Sequence, residues 1–103
     1  MDYIFDIIDK NGRRIHLTEE RLKHIQKHPH MDDPIEIIKE TIKNPHSVMC
    51  EDYGNAIYFY KEFKNMLPLE RYLMVSVRYL NGVGFIITSF FTNKITGKKW
   101  KAK

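Results

Sequence analysis

Short apolar runs that alternate with polar positions open the chain. The first run, from Tyr3 to Ile8, is followed by the stretch Asp9-Lys10-Asn11-Gly12 and then by a second short run from Arg13 to Leu17. An Asn-Gly pair between two β-rich runs is typical of two antiparallel strands joined by a tight turn. The N-terminal part is therefore predicted to be a β-hairpin.

An amphipathic helix is predicted directly after the hairpin, from Glu19 to about His28. Thr18 can accept hydrogen bonds from the first free N–H groups of this helix. At 100° per residue, Leu22 and Ile25 form a narrow apolar stripe on one side.

A second helix has a clearer start, because Asp33 can cap it and Pro34 suits its first position. Its buried side is predicted to be Ile35, Ile38 and Ile42, with Ile37 beside them. Asn44-Pro45 should end it, since the residue before a proline disfavours helical backbone angles.

Everything after Pro45 has the pattern of strands, with Asn81-Gly82 as a two-residue turn in the longest pair. The register set by that turn pairs Ser76 with Ile87. It puts Arg78 and Thr88 on opposite faces unless a bulge shifts the pairing. The four predicted strands are 47–51, 56–63, 71–80 and 83–92. The fold class is α+β, with the hairpin and the two amphipathic helices packed on an antiparallel sheet of about four strands.

Length and composition are those of an ordinary folded protein. No linker or repeat interrupts the 103 residues, so we expect a single domain spanning 1–103. No apolar run approaches the roughly 20 residues that span a bilayer, and no signal-peptide pattern opens the chain. We therefore expect a cytoplasmic protein with no membrane association. Cys50 is the only cysteine, which excludes an intrachain disulfide and a multi-cysteine zinc site.

Positive charge is the one bias in composition, with 17 Lys and Arg against 13 Asp and Glu. That balance weakly favours polyanionic partners. The last segment, 94–103, holds five lysines and a tryptophan in ten residues. Such a tail is usually solvated, but Lys94 and Trp100 are candidates for contact with nucleic-acid phosphates and bases.

Histidine is concentrated in the stretch R21-L-K-H-I-Q-K-H-P-H30. His24 and His28 are four residues apart and lie, with Arg21, along one edge of the predicted apolar stripe. The pair could bind a metal, and His16, His30, His46 and Asp32 are then the candidates for a third ligand. It could also be a solvated surface pair, or supply acid and base without a metal.

Metal-free chemistry suits this stretch best. The glutamate that a zinc-protease helix requires after its first histidine is replaced by Ile25, so no metal site is predicted. Histidines that exchange protons beside cations that hold a phosphate suit the cleavage of RNA through attack by its 2′-OH. No phosphate-binding loop, dinucleotide fingerprint or serine-hydrolase elbow is present, and Cys50 has no local support as a nucleophile.

The order H24-I-x-K-H28-P, a capped helix, N44-P-x-S-V and a hairpin ending I-I-T-S-F-F-T resembles the barnase, EndoU, colicin and RelE nuclease superfamily. The chain resembles in particular the small phage-associated branch abbreviated PBECR, and it is more distantly similar to BrnT-type toxins of toxin–antitoxin pairs. The resemblance spans about Ile15 to Trp100. It implies a metal-independent ribonuclease fold in which helix residues and later strands share one active surface.

Carried to this chain, the resemblance implies that His24 and His28 act as general base or acid, in either order. It also implies that Arg78 holds the phosphate and that Thr88 orients a catalytic group. Substrate-binding candidates are Arg21, Ser89 and Thr92, together with Lys94 and Trp100 from the tail. Two positions depart from the pattern: His30 stands where an acidic residue often follows His-Pro, and Phe90 where a tyrosine is frequent.

The sequence thus predicts a metal-independent endoribonuclease without a cofactor, which leaves a cyclic phosphate on RNA. It could be a toxin held by an antitoxin or immunity protein. The alternative is a non-catalytic module on the same scaffold that binds RNA or protein, and a metal-dependent hydrolase is a third hypothesis. Oligomeric state is left open.

Overall fold

The two N-terminal strands pair as predicted, but they form part of the main sheet and are not packed on it as a separate hairpin. The computed structural model describes residues 3–9, 12–50, 56–63, 71–96 and 98–99. Strand β1 (Tyr3–Ile8) pairs antiparallel with β2 (Arg14–Thr18). Gly12 lies in the connection with a φ of 82°, which glycine adopts without steric cost.

Helix α1 (Glu19–Ile25) begins where the sequence predicted, because the Thr18 hydroxyl accepts a hydrogen bond from the Arg21 N–H at 3.3 Å. It ends at Ile25, three residues earlier than predicted. Turns continue the chain, and the His28 N–H donates to the Ile25 carbonyl at 3.0 Å. Met31 is fully buried directly after these turns and fixes their position.

Helix α2 (Ile35–Lys43) buries Ile38, Thr41 and Ile42. Its predicted cap is wrong. Pro34, not Asp33, occupies the N-cap, and no side chain makes a capping hydrogen bond there. The end is as predicted, with Asn44 as the C-cap.

The remaining strands form one antiparallel series in chain order, but the sheet is larger than the predicted four strands. It has seven strands in the order β1-β2-β6-β5-β4-β3-β7. The hairpin belongs to this sheet, because β2 runs parallel to β6 at the pairs Ile15 with Gly84 and His16 with Phe85. The later strands are β3 (Ser47–Cys50), β4 (Ala56–Glu62), β5 (Tyr72–Leu80), β6 (Val83–Thr92) and the two-residue β7 (Lys98–Lys99).

A β-bulge in β6 decides which side chains share a face. The turn at Asn81 and Gly82, with φ values of 55° and 80°, sets the predicted register as far as the pair Val77 with Ile86. The next pair is Ser76 with Thr88, so Ile87 is the extra residue. Beyond Ile87 every β6 side chain therefore points to the face opposite the one that an unbroken register gives.

The hydrophobic core lies on the sheet face that the helices cover. Both helices contribute to it, α1 through Ile25 and α2 through Ile38 and Ile42. Burial of these side chains is the main source of stability for a domain of this size. The buried strand residues in this cluster are Phe5, Ile15, Leu17, Ile57, Phe59, Leu73, Val75, Val77, Tyr79 and Ile86.

A buried polar cluster joins the hairpin to β5. The Tyr79 hydroxyl donates to Asp9 Oδ2 at 2.7 Å, and the Arg13 guanidinium lies 3.8 Å from the centre of the Tyr79 ring. Burial, and then the Asp9 carboxylate, raise the pKa of Tyr79 well above its ordinary value. The phenol therefore stays protonated and keeps its hydrogen bond to Asp9.

The start of the predicted basic tail crosses the sheet. The Tyr60 hydroxyl lies 3.3 Å from Thr96 Oγ1, and β7 then pairs with β3. Residues 97 and 100–103 lie outside the described part of the chain. Neither of the two described helices is long and apolar enough to cross a membrane.

Candidate active site

The bulge at Ile87 brings polar and aromatic side chains of β5 and β6 to one face of the sheet. Thr88 lies opposite Ser76, and Arg78 lies two residues from Ser76 on the same face. Without the bulge, Thr88 would face the core. We call this side, opposite the core, the outer face; on β5 and β6 it carries Tyr72, Met74, Ser76, Arg78, Phe85, Thr88, Phe90 and Thr92.

His28 is the histidine that contacts this face. Its side chain is half-buried, and its Nε2 lies 3.5 Å from the Thr88 hydroxyl oxygen. Its ring also packs against Phe90, with 5.4 Å between the ring centres. The early end of α1 and the buried Met31 hold the turn in which His28 lies. The imidazole is thus oriented by packing on one side and open to solvent on the other.

His24 lies beside His28, as the spacing of four residues predicted. The ring centres are 5.9 Å apart, with the two rings nearly perpendicular. The two rings remain neighbours although α1 ends at Ile25, because the chain continues in a turn in which the Lys27 N–H donates to the His24 carbonyl. His24 is exposed and His28 is half-buried, so solvent reaches both rings.

Arg78 supplies a cation on the outer face. It is exposed on β5, opposite Phe85 of β6 and Ala56 of β4. Side chains two residues apart on a strand are separated by roughly 6.6 Å, so the long Arg78 side chain can approach a group bound beside Thr88. A guanidinium can donate two hydrogen bonds at once to a phosphate.

The two substrate-binding candidates of β6 that carry hydroxyls lie on opposite faces of the sheet. Ser89 is fully buried on the core face, where its hydroxyl donates to the Met74 carbonyl at 2.7 Å, so it lies apart from His28. Thr92 does lie on the outer face, opposite Tyr72, and its hydroxyl accepts a hydrogen bond from the Lys94 N–H.

The basic candidates lie at the margins of the outer face or beyond the described residues. Arg21 is exposed on α1, and its backbone N–H is taken by the Thr18 cap. Lys94 is exposed in the segment after β6. Trp100 lies outside the described residues.

In the described part of the chain, no arrangement of side chains supports a metal site or a nucleophilic thiol at Cys50. There, no three His, Cys, Asp or Glu side chains are grouped so that they could hold a metal ion. Cys50 lies on β3, which β4 and β5 separate from β6 and hence from Thr88.

Three outer-face residues near the site were not among the catalytic or substrate-binding residues predicted from the sequence: Asp6, His16 and Phe85. They line up because β2 pairs with β6, a parallel contact between segments almost 70 residues apart that no local pattern indicates. One signal was available. Gly84 interrupts an apolar strand, which often marks a close approach of another backbone. A Cβ at Gly84 would lie 2.9 Å from side-chain atoms of Ile15, Tyr79 and Val77.

Comparison with known proteins gives one match. The family model described as phage-Barnase-EndoU-ColicinE5/D-RelE like nuclease2 matches residues 5–103, almost the whole chain. No curated protein and no solved structure matches the chain significantly.

Proposed function

Because the chain belongs to the phage-Barnase-EndoU-ColicinE5/D-RelE like nuclease2 family, we propose that it is a metal-independent endoribonuclease that acts at the outer face beside His28. The observation that carries this proposal is the contact of His28 with Thr88, 3.5 Å between Nε2 and Oγ1, on the face that also presents Arg78. An oriented imidazole, a second imidazole and a guanidinium can supply the base, the acid and the positive charge that metal-free cleavage of RNA uses.

The proposed reaction has two proton transfers around one phosphate. One histidine removes the proton of the RNA 2′-OH, and the oxygen attacks the adjacent phosphorus. As that bond forms, the bond from phosphorus to the 5′-oxygen breaks, and the other histidine protonates the leaving oxygen. The products are a 2′,3′-cyclic phosphate and a free 5′-OH. Arg78 stabilises the negative charge that develops on the phosphate oxygens.

His28 and His24 suit these two roles because their rings are near neighbours but differ in surroundings. His28 is held by Thr88 and Phe90, so its geometry is fixed before substrate binds. His24 is exposed and can turn toward either oxygen. Either order of base and acid is compatible with this arrangement. DNA should not be cleaved, since it lacks the 2′-OH that attacks.

The test is cleavage of labelled total RNA in the presence of EDTA by the wild-type protein and by His28→Ala and His24→Ala. The matched control is His46→Gln, which removes an imidazole beside β3 and β4. In the wild type His46 Nδ1 accepts a hydrogen bond from the Glu62 N–H, and the glutamine side chain also carries an acceptor. We expect fragments with cyclic phosphate ends from the wild type and the control. Loss of a general acid or base should lower the rate about 10²- to 10⁴-fold.

Other outcomes separate the competing functions. RNA that binds in a salt-sensitive way but stays intact would favour a non-catalytic RNA-binding module. Cleavage that EDTA abolishes and zinc restores would favour a metal-dependent hydrolase. Equal cleavage by the wild type and the double variant His24→Ala/His28→Ala would remove both histidines from the reaction.

The proposal extends to a toxin that acts in the cytoplasm and is held by an antitoxin or immunity protein. An endoribonuclease that cleaves essential cellular RNA would harm its host unless a partner inhibits it. Induced expression of the wild type in a bacterial host should then arrest growth, whereas induction of His28→Ala to the same protein level should not. Unaffected growth with active wild-type enzyme in the lysate would exclude the toxin role.

A further inference from the structure

One row of side chains crosses four strands of the outer face. Asp6 of β1 lies opposite His16 of β2, His16 lies opposite Phe85 of β6, and Phe85 lies opposite Arg78 of β5. Residues directly opposite in a sheet project to the same side. The row therefore shares the face of Thr88, although the proposed cleavage does not use Asp6, His16 or Phe85.

The Phe85 ring is held in place on one side and accessible on the other. The His16 ring packs against it, with 5.5 Å between the ring centres and a tilt of 45°. His16 is itself only 8% exposed, and its Nδ1 lies 3.8 Å from Asp6 Oδ2. Phe85 is half-buried. An aromatic ring fixed by its neighbours but left partly open offers a face for stacking at little cost in side-chain entropy.

One cation lies next to this ring and a second lies farther along the face. Arg78 is exposed directly opposite Phe85 on β5, and Arg14 lies on β2, two residues before His16 and paired with Asp6. The Arg14 guanidinium is 3.3 Å from Asp6 Oδ2, and its side chain is 60% exposed. A partly exposed ring beside an exposed arginine is an arrangement that suits unpaired nucleotides, whose bases stack on the ring while the cation holds a phosphate.

The row is close to the proposed cleavage position. Phe85 and Thr88 are three residues apart on β6, so their Cα atoms are separated by at most about 10 Å. The bulge at Ile87 brings both to the same face. A single strand whose phosphate lies beside His28 can therefore place a neighbouring base over Phe85.

We infer that Phe85 is a stacking platform for a nucleobase of single-stranded RNA, with Arg78 holding the adjoining phosphate. This inference rests on the proposed function, because it takes RNA as the ligand. Duplex RNA does not fit the platform, since paired bases are already stacked on each other and cannot lie on a protein ring. The platform adds affinity and position without reading the identity of the base, because every base has a face that can stack.

The experiment measures binding and not cleavage. The probe is a short fluorescent 2′-O-methyl oligonucleotide, which cannot be cut because its 2′-oxygen is blocked, compared with the same backbone made without bases. The wild type should bind the base-bearing probe about tenfold more tightly than the abasic probe. Phe85→Leu should lose most of that difference, and Phe85→Tyr, which keeps the ring, should retain it.

The matched control is Phe91→Leu, the same substitution on the same strand but on the core face, where Phe91 packs against Phe63. It should keep the wild-type preference for the base-bearing probe, and melting curves should show that every variant is folded. An unchanged preference in Phe85→Leu, or no preference in the wild type, would overturn the inference.

The two proposals can fail separately. Cleavage of RNA with no preference for bases would leave the nuclease assignment intact and remove the platform. A preference that Phe85→Leu abolishes, in a protein that leaves RNA uncut, would keep the platform and remove the catalytic role.

Discussion

Thr88 of β6 lies directly opposite Ser76 of β5, although the pair next to it toward the turn is Val77 with Ile86. This shift of one residue puts the Thr88 hydroxyl on the outer face, 3.5 Å from His28 Nε2. The position of the site thus depends on the bulge as well as on the residues that compose it.

Replacing Thr88 by valine should test whether its hydroxyl orients His28. Valine is β-branched like threonine and suits a strand equally well, so the strand should still form, but the contact of the hydroxyl with His28 is lost. A single neutral hydrogen bond is typically worth 0.5–1.5 kcal/mol, so we expect kcat/KM on RNA to fall roughly two- to tenfold. Wild-type kinetics in Thr88→Val would show that the hydroxyl is not used.

Removing the guanidinium of Arg78 should change the salt dependence of RNA binding. Each phosphate contact on a single strand contributes about 0.7 to the slope of log K against log salt. Arg78→Ala should reduce the slope by about that amount for the uncleavable probe. The control Arg71→Ala removes a cation paired with Glu62, roughly 23 Å away along the direction of β5, and should leave the slope unchanged. Equal slopes in all three proteins would argue against a phosphate contact at Arg78.

Tyr79→Phe should lower the free energy of unfolding at neutral pH by about 1–3 kcal/mol, because Asp9 loses a buried hydrogen bond. The raised pKa of Tyr79 also predicts a pH dependence. In the unfolded chain a tyrosine ionises near pH 10, whereas the folded phenol stays protonated, so above that pH the unfolded state binds fewer protons. The contribution of the protonated Tyr79 phenol to the free energy of unfolding is therefore fully present below about pH 10, and it is lost as the pH rises further.

Urea unfolding at pH 7 and at several values above pH 10 would measure this difference. The gap between the wild type and Tyr79→Phe should narrow as the pH rises. Tyr72→Phe, which removes another hydroxyl from β5, serves as the control for the effect of the substitution itself. A gap that stays constant through the alkaline range would contradict the linkage.

Gly84→Ala should weaken the attachment of the hairpin to the sheet. The added methyl group would lie 2.9 Å from three buried side chains, and overpacking of this kind typically costs 1–3 kcal/mol. Urea unfolding should show the loss directly. Val83→Ala, one residue earlier and half-buried, is the control for a small change on the same strand.

Local patterns predicted the elements well because each has its own local signals. The turn at Asn81-Gly82 and the end of α2 at Asn44 follow from backbone preferences of the residues there. The cap of α2 was predicted wrongly at Asp33, since Pro34 takes that position.

The faces of β6 could not be predicted from alternation. Consecutive residues after the bulge are chemically alike: the hydroxyl residues Thr88 and Ser89 are followed by Phe90 and Phe91. Each register therefore gives one hydroxyl and one phenylalanine to each face, and the pattern cannot distinguish them. The sequence predicted that Arg78 and Thr88 could share a face only through a bulge, and the structure has that bulge.

The pairing of β2 with β6 was beyond local reasoning for a different reason. It joins distant segments through only two residue pairs, so neither strand carries a composition that reveals its partner. The histidine pair was found because a helix places neighbours by spacing alone. The row from Asp6 to Arg78 was not, because tertiary pairing creates it.

The distance along the chain between His28 and Thr88, 60 residues, has a consequence for protein synthesis. Segments near the N-terminus leave the ribosome first and can begin to fold while the rest is still being made. His28 is then displayed without Thr88 or Arg78, which belong to strands made much later. On the proposed function, the nascent chain is an inert precursor. The ribosome that makes it is exposed to the nuclease only after β6 has been translated.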